Sequence, residues 1–383
     1  MGHSETMLDP GYTFPKDYEN SRKRFRESLA VVRNRWPNAR LDAHTMVGKD
    51  LTIDWIAAEP RGDYRHLLLL SAGQHGVEGF CGSAILQLFI GSWLDRLGPS
   101  DTGLLLVHAI NPWGMKYSRH PNAVGVDLNR NFLKGSEAFD PAFNPDSRVL
   151  DSVVNPQRPI LSLAHSRRSF MTGMLGGIVR LGPGRVRTSV LLGQYWNPQG
   201  LYYGGTSYQE ETLALIELFH QFFPSYEHIV HIDVHTGYGP RDQMTLVNSV
   251  YEPRGSEDLK RRFDYPAVVK ADPKEFYSIR GDMIDYVYRL VHSEYPGKSL
   301  YATTFEFGTF GASLYANLRS LHSEILENQL HWYGCPDPET RRWIQREFRE
   351  LFAPSDPSWL HKAAADAQKA FHGILAAEGI VRV

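Results

Sequence analysis

The chain has 383 residues, of which 42% are hydrophobic and 22% are charged, and its formal net charge is -2. These values are typical of a soluble globular protein that is long enough to bury a sizeable core. The near-neutral charge argues against a protein that binds nucleic acid or an acidic membrane surface. No run of about 18 apolar residues occurs, so the sequence predicts no membrane-spanning helix.

The N-terminal residues show neither the basic start nor the apolar stretch of a secretory signal, which favours a cytoplasmic location. The chain has two cysteines, Cys81 and Cys335. One disulfide is possible, whereas a disulfide framework is excluded by this number. In a reducing compartment we expect two free and mostly buried thiols.

The first predicted elements are a helix and a β-hairpin. Residues 16–36 place apolar side chains at helical spacing between charged ones, which predicts an N-terminal helix. Residues 40–47 and 51–58 are short, partly alternating runs separated by a Gly-Lys-Asp sequence. This pattern predicts a hairpin.

The middle of the chain alternates apolar runs with helical patterns. Five mostly apolar runs are predicted as strands, at residues 67–70, 104–107, 229–234, 244–250 and 301–307. Residues 81–97 are predicted as a helix that covers them. Strands of this kind indicate a sheet covered on both faces. The predicted fold class is therefore α/β, a three-layer α/β/α sandwich with a mixed, mainly parallel twisted sheet.

Three segments are predicted as loops because they are rich in turn-forming residues. Residues 119–131 and 144–159 contain many Asn, Pro, Gly and charged residues, and residues 183–205 are rich in Gly and Pro. The last segment also contains Tyr and Trp residues. We expect so aromatic a loop to pack down near a site.

The C-terminal part of the chain is predicted to be helical. Three helical patterns follow Gly311, at residues 313–328, 338–352 and 359–380. We interpret residues 1–383 as a single domain. Its motif-bearing core spans about residues 40–335, followed by a helical C-terminal extension over about residues 336–383.

Three metal-binding side chains lie at or just after predicted strands. His75 and Glu78 are flanked by glycines directly after the strand at 67–70, and their spacing lets both converge on one ion across a tight turn. His235 lies at the carboxyl end of another strand, where open α/β sheets place their sites. A His-x-x-Glu pair alone is weak, and a lone strand-end histidine is often structural. Together, two histidines and one glutamate predict a zinc site with an open position for water.

Two further elements suggest a reaction. Glu306 is a single carboxylate in an apolar strand, where burial is costly without a partner or a purpose. It is either a salt-bridged glutamate or a general base. Arg119 and Arg130 lie in a loop after a strand. They are either surface arginines or groups that hold a carboxylate or stabilise an oxyanion.

The order of these motifs resembles that of the zinc carboxypeptidase superfamily, which includes carboxypeptidase A and the aspartoacylase/succinylglutamate desuccinylase branch. The matching runs, in family order, are HGVEGFCGS, HAINPWGMKYSR, GVDLNRNF, IDVHTG and TFEFGTFG. A further run, NPQGLYYGGT, is similar to an uncharacterised group within the superfamily that is described mainly as a domain of unknown function. The resemblance covers about residues 67–311.

The resemblance implies one zinc ion per chain, with His75, Glu78 and His235 as ligands. It implies that Glu306 is the general base. It also implies that Arg119 is the arginine that polarises the scissile carbonyl.

The resemblance assigns substrate binding to the same loop. It implies that Asn129 and Arg130 hold the terminal carboxylate of the substrate. It implies that Asp127 is a carboxylate behind the metal that orients a zinc-binding histidine. The segment around Tyr288 is faintly similar to that of the family's mobile tyrosine, although packing alone would explain this residue.

Four functions are consistent with the motifs to different degrees. The leading one is a carboxypeptidase-like hydrolase acting on a small peptide, and the second is an acylase acting on a small N-acyl amino acid. The acylase branch carries a largely β C-terminal segment, whereas this chain is predicted to be helical there, which favours the peptidase. A zinc-binding module without catalysis would need neither Glu306 nor Arg119. An α/β protein without metal would leave five ordered motifs unexplained.

Overall fold

A computed structural model describes residues 13–48, 50–135, 139–272 and 279–381. The N-terminal residues considered above for a targeting signal mostly precede residue 13 and lie outside the described residues.

In the described residues, the fold is organised around an eight-stranded mixed sheet with the order β1-β2-β4-β3-β5-β8-β6-β7. The central strands β4, β3, β5 and β8 are parallel to one another. The pairs β1–β2, β2–β4 and β6–β8 are antiparallel, and β6–β7 is parallel. The strands are β1 (Arg40–Thr45), β2 (Thr52–Ala58), β3 (His66–Ala72), β4 (Thr102–His108), β5 (His228–Gly237), β6 (Met244–Asn248), β7 (Val268–Lys270) and β8 (Ser299–Gly308).

Helices surround this sheet. They are α1 (Tyr18–Arg33), α2 (Gly79–Trp93), α3 (Pro112–Tyr117), α4 (Asp146–Val154), α5 (Leu163–Leu181), α6 (Pro183–Leu191), α7 (Glu210–Phe222), α8 (Ser256–Phe263), α9 (Met283–Glu294), α10 (Leu314–Tyr333), α11 (Pro338–Phe352) and α12 (Pro357–Ala377). Short 3-10 helices are Gly76–Glu78, Leu94–Arg96, Leu128–Arg130 and Phe223–Ser225.

The two faces of the sheet bury separate hydrophobic clusters because successive side chains of a strand point to opposite faces. Leu68 and Leu70 of β3 pack in the cluster formed with α1, α2, α8 and α12. Leu67 and Leu69 pack in the cluster formed with α7 and α9. The predicted three-layer α/β/α sandwich is therefore confirmed.

The prediction that residues 144–159 and 183–205 are loops was wrong in part, because they contain α4 and α6. In α4, Leu150 and Val154 have the i, i+4 spacing of a buried helical face, but the flanking Asn and Pro residues dominate the composition. Pro183 is the first residue of α6, a position that tolerates proline because its missing N–H has no helical partner. Proline there marks the start of a helix, although its presence in a segment rich in glycine also favours a loop.

Two further predictions are confirmed. The three C-terminal helices are present as α10, α11 and α12, and α12 shares the larger hydrophobic cluster with the sheet. Cys81 and Cys335 are free and buried, as predicted. The helical segment Gly76–Arg96 has the length and apolar composition that could cross a membrane, but 83% of its most apolar window is buried inside the protein.

Candidate metal centre

The predicted metal-binding residues meet at the carboxyl ends of β3, β5 and β8. His75 and Glu78 follow β3, which is the parallel neighbour of β5. His235 of β5 and Glu306 of β8 are direct partners in the parallel register of these strands. All four side chains line one open cleft. The sheet topology thus brings together residues that are up to 231 positions apart in the sequence.

A tight turn between β3 and α2 presents the first two of these side chains. The 3-10 helix Gly76–Glu78 forms this turn, and its Gly76 amide donates to the carbonyl of His120 at 3.2 Å. A Cβ atom at position 76 would lie 2.0 Å from the carbonyl carbon of Gly114. Only glycine fits at this close approach of two backbones. The turn is therefore packed directly against α3 and the loop that follows it.

The three proposed ligands are in mutual contact. The Nδ1 atom of His75 lies 2.8 Å from Oε1 of Glu78, and the Nδ1 atom of His235 lies 3.1 Å from Oε2 of Glu78. One donor atom from each residue lies within 4.8 Å of the others, and all three residues are buried. The amide of Thr236 donates to Oε2 of Glu78 at 2.9 Å and helps to orient the carboxylate.

Each histidine also has a carboxylate behind it. The Nε2 atom of His75 lies 3.2 Å from Oδ1 of Asp127, and the Nε2 atom of His235 lies 2.6 Å from Oδ2 of Asp233. A carboxylate at Nε2 favours a proton on that nitrogen and leaves the Nδ1 lone pair facing the centre. Both Nδ1 atoms are the ones that approach Glu78. The donor types and their orientation fit a zinc ion held by two imidazoles and one carboxylate.

Asp233 was not predicted, although the sequence contained a signal for it. It precedes His235 by two positions on the same strand, so both side chains lie on one face of the sheet. The hydroxyl of Ser71 donates to Oδ1 of Asp233 at 2.6 Å and also lies 2.8 Å from Nε2 of His231. The carboxylate behind His235 is thus held by the neighbouring strand.

The electrostatic field of the centre favours a cation. Burial alone would lower the pKa of His75, but the carboxylates of Glu78 and Asp127 raise it to about 9. Burial opposes ionisation of Glu78, yet His75 and His235 hold the pKa of its carboxyl well below the usual range. Burial alone would raise the pKa of Asp127, but Arg130 and His75 lower it. The carboxylates of Glu78 and Asp127 therefore stay ionised. A divalent cation bound to the two imidazoles would take the place of the proton on each Nδ1 atom.

Glu306 lines the cleft beside these ligands and is not one of the donor group. Its Oε1 atom accepts a hydrogen bond from the amide of Tyr238 at 3.0 Å. Burial raises the pKa of Glu306 to about 8, and the negative charge of Glu78 acts in the same direction. A carboxyl group whose pKa lies near neutrality can both accept and return a proton.

Asn129 and Arg130 also line the cleft, at the wall next to Asp127. Arg130 donates from Nη1 to the carbonyl of Asn129 at 3.0 Å and from Nη2 to the carbonyl of Leu191 at 2.8 Å. Its Nη1 atom lies 3.6 Å from Oδ2 of Asp127. These contacts hold the guanidinium at the wall, and Arg130 is buried, so it is not a surface arginine.

Arg119 lies outside the lining of this cleft. Its Nε atom forms a 2.8 Å ion pair with Oε1 of Glu327, and its Nη2 atom donates to Oδ1 of Asn328 at 3.2 Å. Both partners belong to α10. Arg119 instead lines a neighbouring cavity of about 320 Å³. The placement gives no support to the prediction that Arg119 polarises the scissile carbonyl.

Tyr288 also lies away from the cleft. It is on the buried side of α9, and its hydroxyl donates to Oε2 of Glu252 at 2.5 Å. The hydroxyl oxygen of Tyr288 also accepts a hydrogen bond from the amide of Ala302 at 3.0 Å. These contacts tie α9 to β8, so packing explains Tyr288 and the predicted substrate contact has no support in its position.

The cleft is also lined by residues that the motifs did not predict. Tyr202, in the aromatic segment expected to pack near a site, donates to Oε1 of Glu324 at 2.9 Å. Burial raises the pKa of Glu324 to about 8. The ring of His120 stacks on that of His75 with centroids 3.7 Å apart. Burial lowers the pKa of His120 to about 3, and the charge of His75 adds to this effect.

His120 belongs to a second group of potential ligands. Donor atoms of His75, His120 and Asp127 lie within 4.8 Å of one another. This group shares His75 with the first. Its Asp127 already lies behind the Nε2 atom of His75, so we assign it to the support of the first group.

Comparison with known proteins places the chain in a family. Residues 14–366 match the family described as Protein of unknown function (DUF2817). No curated protein matches the chain. Similar solved structures include bovine thrombin-activatable fibrinolysis inhibitor in complex with tick carboxypeptidase inhibitor, at 14% identity over 80% of this chain and 94% of that chain, with a TM-score of 0.44.

Two other similar structures come from an insect and a bacterium. Carboxypeptidase A from Helicoverpa armigera is 11% identical over 88% of this chain and 74% of that chain, with a TM-score of 0.46. A protein from Shewanella amazonensis that is assigned to the succinylglutamate desuccinylase/aspartoacylase family is 16% identical over 79% and 75%, with a TM-score of 0.38. The family match spans most of the chain, in agreement with the resemblance noted for residues 197–206, and this protein belongs to the family of unknown function DUF2817.

Proposed function

We propose that this protein is a zinc-dependent hydrolase that cleaves an amide bond next to a free carboxylate, in the manner of a carboxypeptidase. One observation carries the proposal. His75, Glu78 and His235 converge at the carboxyl ends of two parallel strands, and Glu306 is the direct register partner of His235 on the next strand. This arrangement puts a set of zinc-binding donors and a carboxyl group suited to proton transfer in one cleft.

His75, Glu78 and His235 would hold the zinc ion, which when bound acts as a Lewis acid toward water and carbonyl oxygens. Asp127 and Asp233 orient the two imidazoles from behind. These contacts set which ring nitrogen carries a proton, so the donor set needs little rearrangement on metal binding.

Glu306 is the proton carrier in the proposed reaction. The amide of Tyr238 holds its Oε1 atom, so the proton is exchanged at Oε2. Glu306 takes a proton from the attacking water and later passes it to the nitrogen of the leaving amine. With a pKa raised by burial to about 8, its carboxylate is a stronger base than an exposed glutamate.

Arg130 and Asn129 are proposed to recognise the substrate carboxylate. Arg130 lies at the cleft wall, where two backbone carbonyls fix its guanidinium. A planar guanidinium matches a carboxylate in two-point contact, whereas lysine offers only a point charge. A charged partner of this kind would select substrates with a free carboxylate near the scissile amide.

The N-acyl amino acid acylase remains the second candidate, since it would use the same metal ligands and base. The helical C-terminal segments α10 to α12 favour the peptidase, because the acylase branch that the motifs resemble is largely β in that part.

A substrate panel tests the proposed function. The zinc-loaded full chain is incubated with N-blocked dipeptides and with N-acyl amino acids, each as the free acid and as the carboxamide. We expect cleavage of free acids, loss of activity with a chelator and its return with zinc. Equal cleavage of acid and amide would contradict carboxylate recognition, and activity that survives complete metal removal would contradict the metal role.

Variants of Arg130 refine this test. Arg130→Ala should weaken use of the free acid by about 2–5 kcal/mol, and Arg130→Lys should recover only part of the loss. Glu217→Gln, on the exposed side of α7, is a control for the general effect of removing one charge, and denaturant unfolding shows whether the variants of the buried Arg130 are folded.

A further inference from the structure

The positive charge of this protein is unevenly distributed, although the net charge of the chain is only -2. Between Asp151 and Glu210, a stretch of 58 residues contains six arginines and neither aspartate nor glutamate. All six lie on the surface, and five of them belong to α5 and α6. One of these five, Arg185, is paired with Asp146 at 2.6 Å. The outer side of this helical pair is therefore a strongly basic surface.

Apolar side chains are exposed on the same surface. Met171, Leu175, Ile178 and Val179 of α5 are 46%, 62%, 39% and 80% exposed. Their spacing of four, three and one places them on a single face of the helix. Arg167, four positions before Met171, continues this face toward the N-terminal end, so the stripe is about 18 Å long. Together with the neighbouring Arg168 and Arg180, these residues form what we call the outer face of α5.

The inner side of α5 fixes this orientation. Phe170, Met174 and Gly177 are buried and pack in a cluster with α4, α6 and α10. A Cβ atom at position 177 would lie 2.5 Å from a methyl carbon of Leu150. A rotation of the helix that buried its outer apolar residues would expose Phe170 and Met174. The stripe is thus held at the surface by the fold.

We propose that the outer face of α5 binds the surface of an anionic lipid bilayer. Apolar side chains flanked by arginines on one helix are the pattern of a helix that lies in a membrane interface. The apolar residues enter the interface, and the arginines reach the anionic headgroups. A second copy of this chain is a poor occupant, because a two-fold contact would bring the arginines of two such outer faces together.

Vesicle sedimentation tests this proposal with the full chain, and it requires no enzymatic activity. The protein is mixed with vesicles of phosphatidylcholine containing phosphatidylserine, or with phosphatidylcholine alone. We expect binding to the anionic vesicles that weakens as salt increases, and little binding to the neutral ones. Absence of binding to anionic vesicles, or equal binding to both kinds, would overturn the proposal.

Two sets of variants separate the contribution of the arginines to vesicle binding from that of the apolar side chains. The double variant Arg167→Gln, Arg168→Gln should weaken partitioning about 25-fold, at about fivefold for each basic residue. Leu175→Ser should weaken it about tenfold or more through loss of apolar burial. Leu314→Ser and Arg342→Gln, at exposed positions on α10 and α11, are the matched controls and should bind as wild type.

Circular dichroism verifies that each variant is folded. Vesicle binding that is unchanged in the α5 variants, or reduced equally in the controls, would overturn the assignment to this face. Dimerisation of the wild type that these α5 variants abolish would replace the bilayer with a second copy. Binding to polyglutamate without binding to anionic vesicles would replace it with an acidic protein.

Discussion

The cleft has a strand side, formed at the ends of β3, β5 and β8, and a helix side that includes Glu324 of α10. The buried polar groups of the two sides are stabilised in different ways. On the strand side, His75 and His235 each lie between Glu78 and a further carboxylate, and Glu78 stays ionised. On the helix side, Glu324 meets a tyrosine hydroxyl, and burial raises its pKa to about 8. The group formed by His75, Glu78 and His235 keeps its charges by pairing them, whereas burial favours the neutral, protonated form of Glu324. We propose that this paired group holds a cation.

The largest effect that this comparison predicts is the loss of metal in His235→Ala. Removing one of three protein ligands should reduce zinc content to that of chelator-treated protein, and activity should fall with it. Elemental analysis of the purified protein measures this. Full zinc occupancy in the variant would show that the strand-side wall is not the metal site.

The second prediction contrasts one carboxyl group near the ligands with one across the cleft. Glu306→Gln should lower turnover about 10²–10⁴-fold, because glutamine cannot accept the proton. Zinc content should be unchanged. Glu324→Gln is the matched control, because burial raises the pKa of Glu324 to the same value of about 8 while its carboxyl is bonded to Tyr202 and lies outside the metal-binding group. Equal losses in both variants would remove the distinction between the walls.

A smaller effect is expected at the carboxylates behind the histidines. Asp233→Asn and Asp127→Asn should each weaken zinc affinity about 10–100-fold, because the proton on Nε2 of the ligand is no longer held by a charge. Competition with a metallochromic chelator gives these affinities. Zinc affinity equal to wild type in both variants would mean that the histidines are oriented by other contacts.

The smallest effect on activity is expected at Tyr288. Its hydroxyl bonds Glu252 and the backbone of β8, away from the cleft. Tyr288→Phe should keep wild-type turnover while losing about 1–3 kcal/mol of unfolding free energy, because a buried carboxylate loses a donor. Denaturant unfolding and steady-state kinetics measure the two quantities. A selective fall in turnover with an unchanged free energy of unfolding would support the predicted role of Tyr288 in substrate binding.

The convergence of His75, Glu78 and His235 could be predicted because each follows or ends an apolar strand. In a parallel sheet the carboxyl ends of neighbouring strands share one edge, so local patterns were enough to expect proximity. That these side chains bind zinc stays a prediction. Asp233 could have been found by the same reasoning, since alternate residues of a strand share a face.

The placement of Arg119 and Tyr288 could not be predicted from the sequence. The partner of Arg119 is Glu327 on α10, and that of Tyr288 is Glu252. Neither partner is near in sequence or belongs to a motif. A long side chain near a site can point toward it or away from it. Its direction depends on bonding partners that are distant in the sequence. Resemblance to a family transfers the position of a backbone more safely than the direction of such a side chain.

The close approach of Gly76 to Gly114 limits how this protein can be redesigned. The turn bearing His75 and Glu78 also bonds its amides at Gly76 and Val77 to carbonyls at positions 120 and 119. These two hydrogen bonds connect the turn to the loop that follows α3, so a shift of one is expected to shift the other. A graft that exchanges the loop after α3 to alter specificity would displace the first two metal-binding side chains as well. A change of substrate selectivity in this loop would therefore also change the proposed metal affinity. Substitutions meant to alter substrate selectivity alone are better placed on the helix side of the cleft, which includes Glu324 of α10.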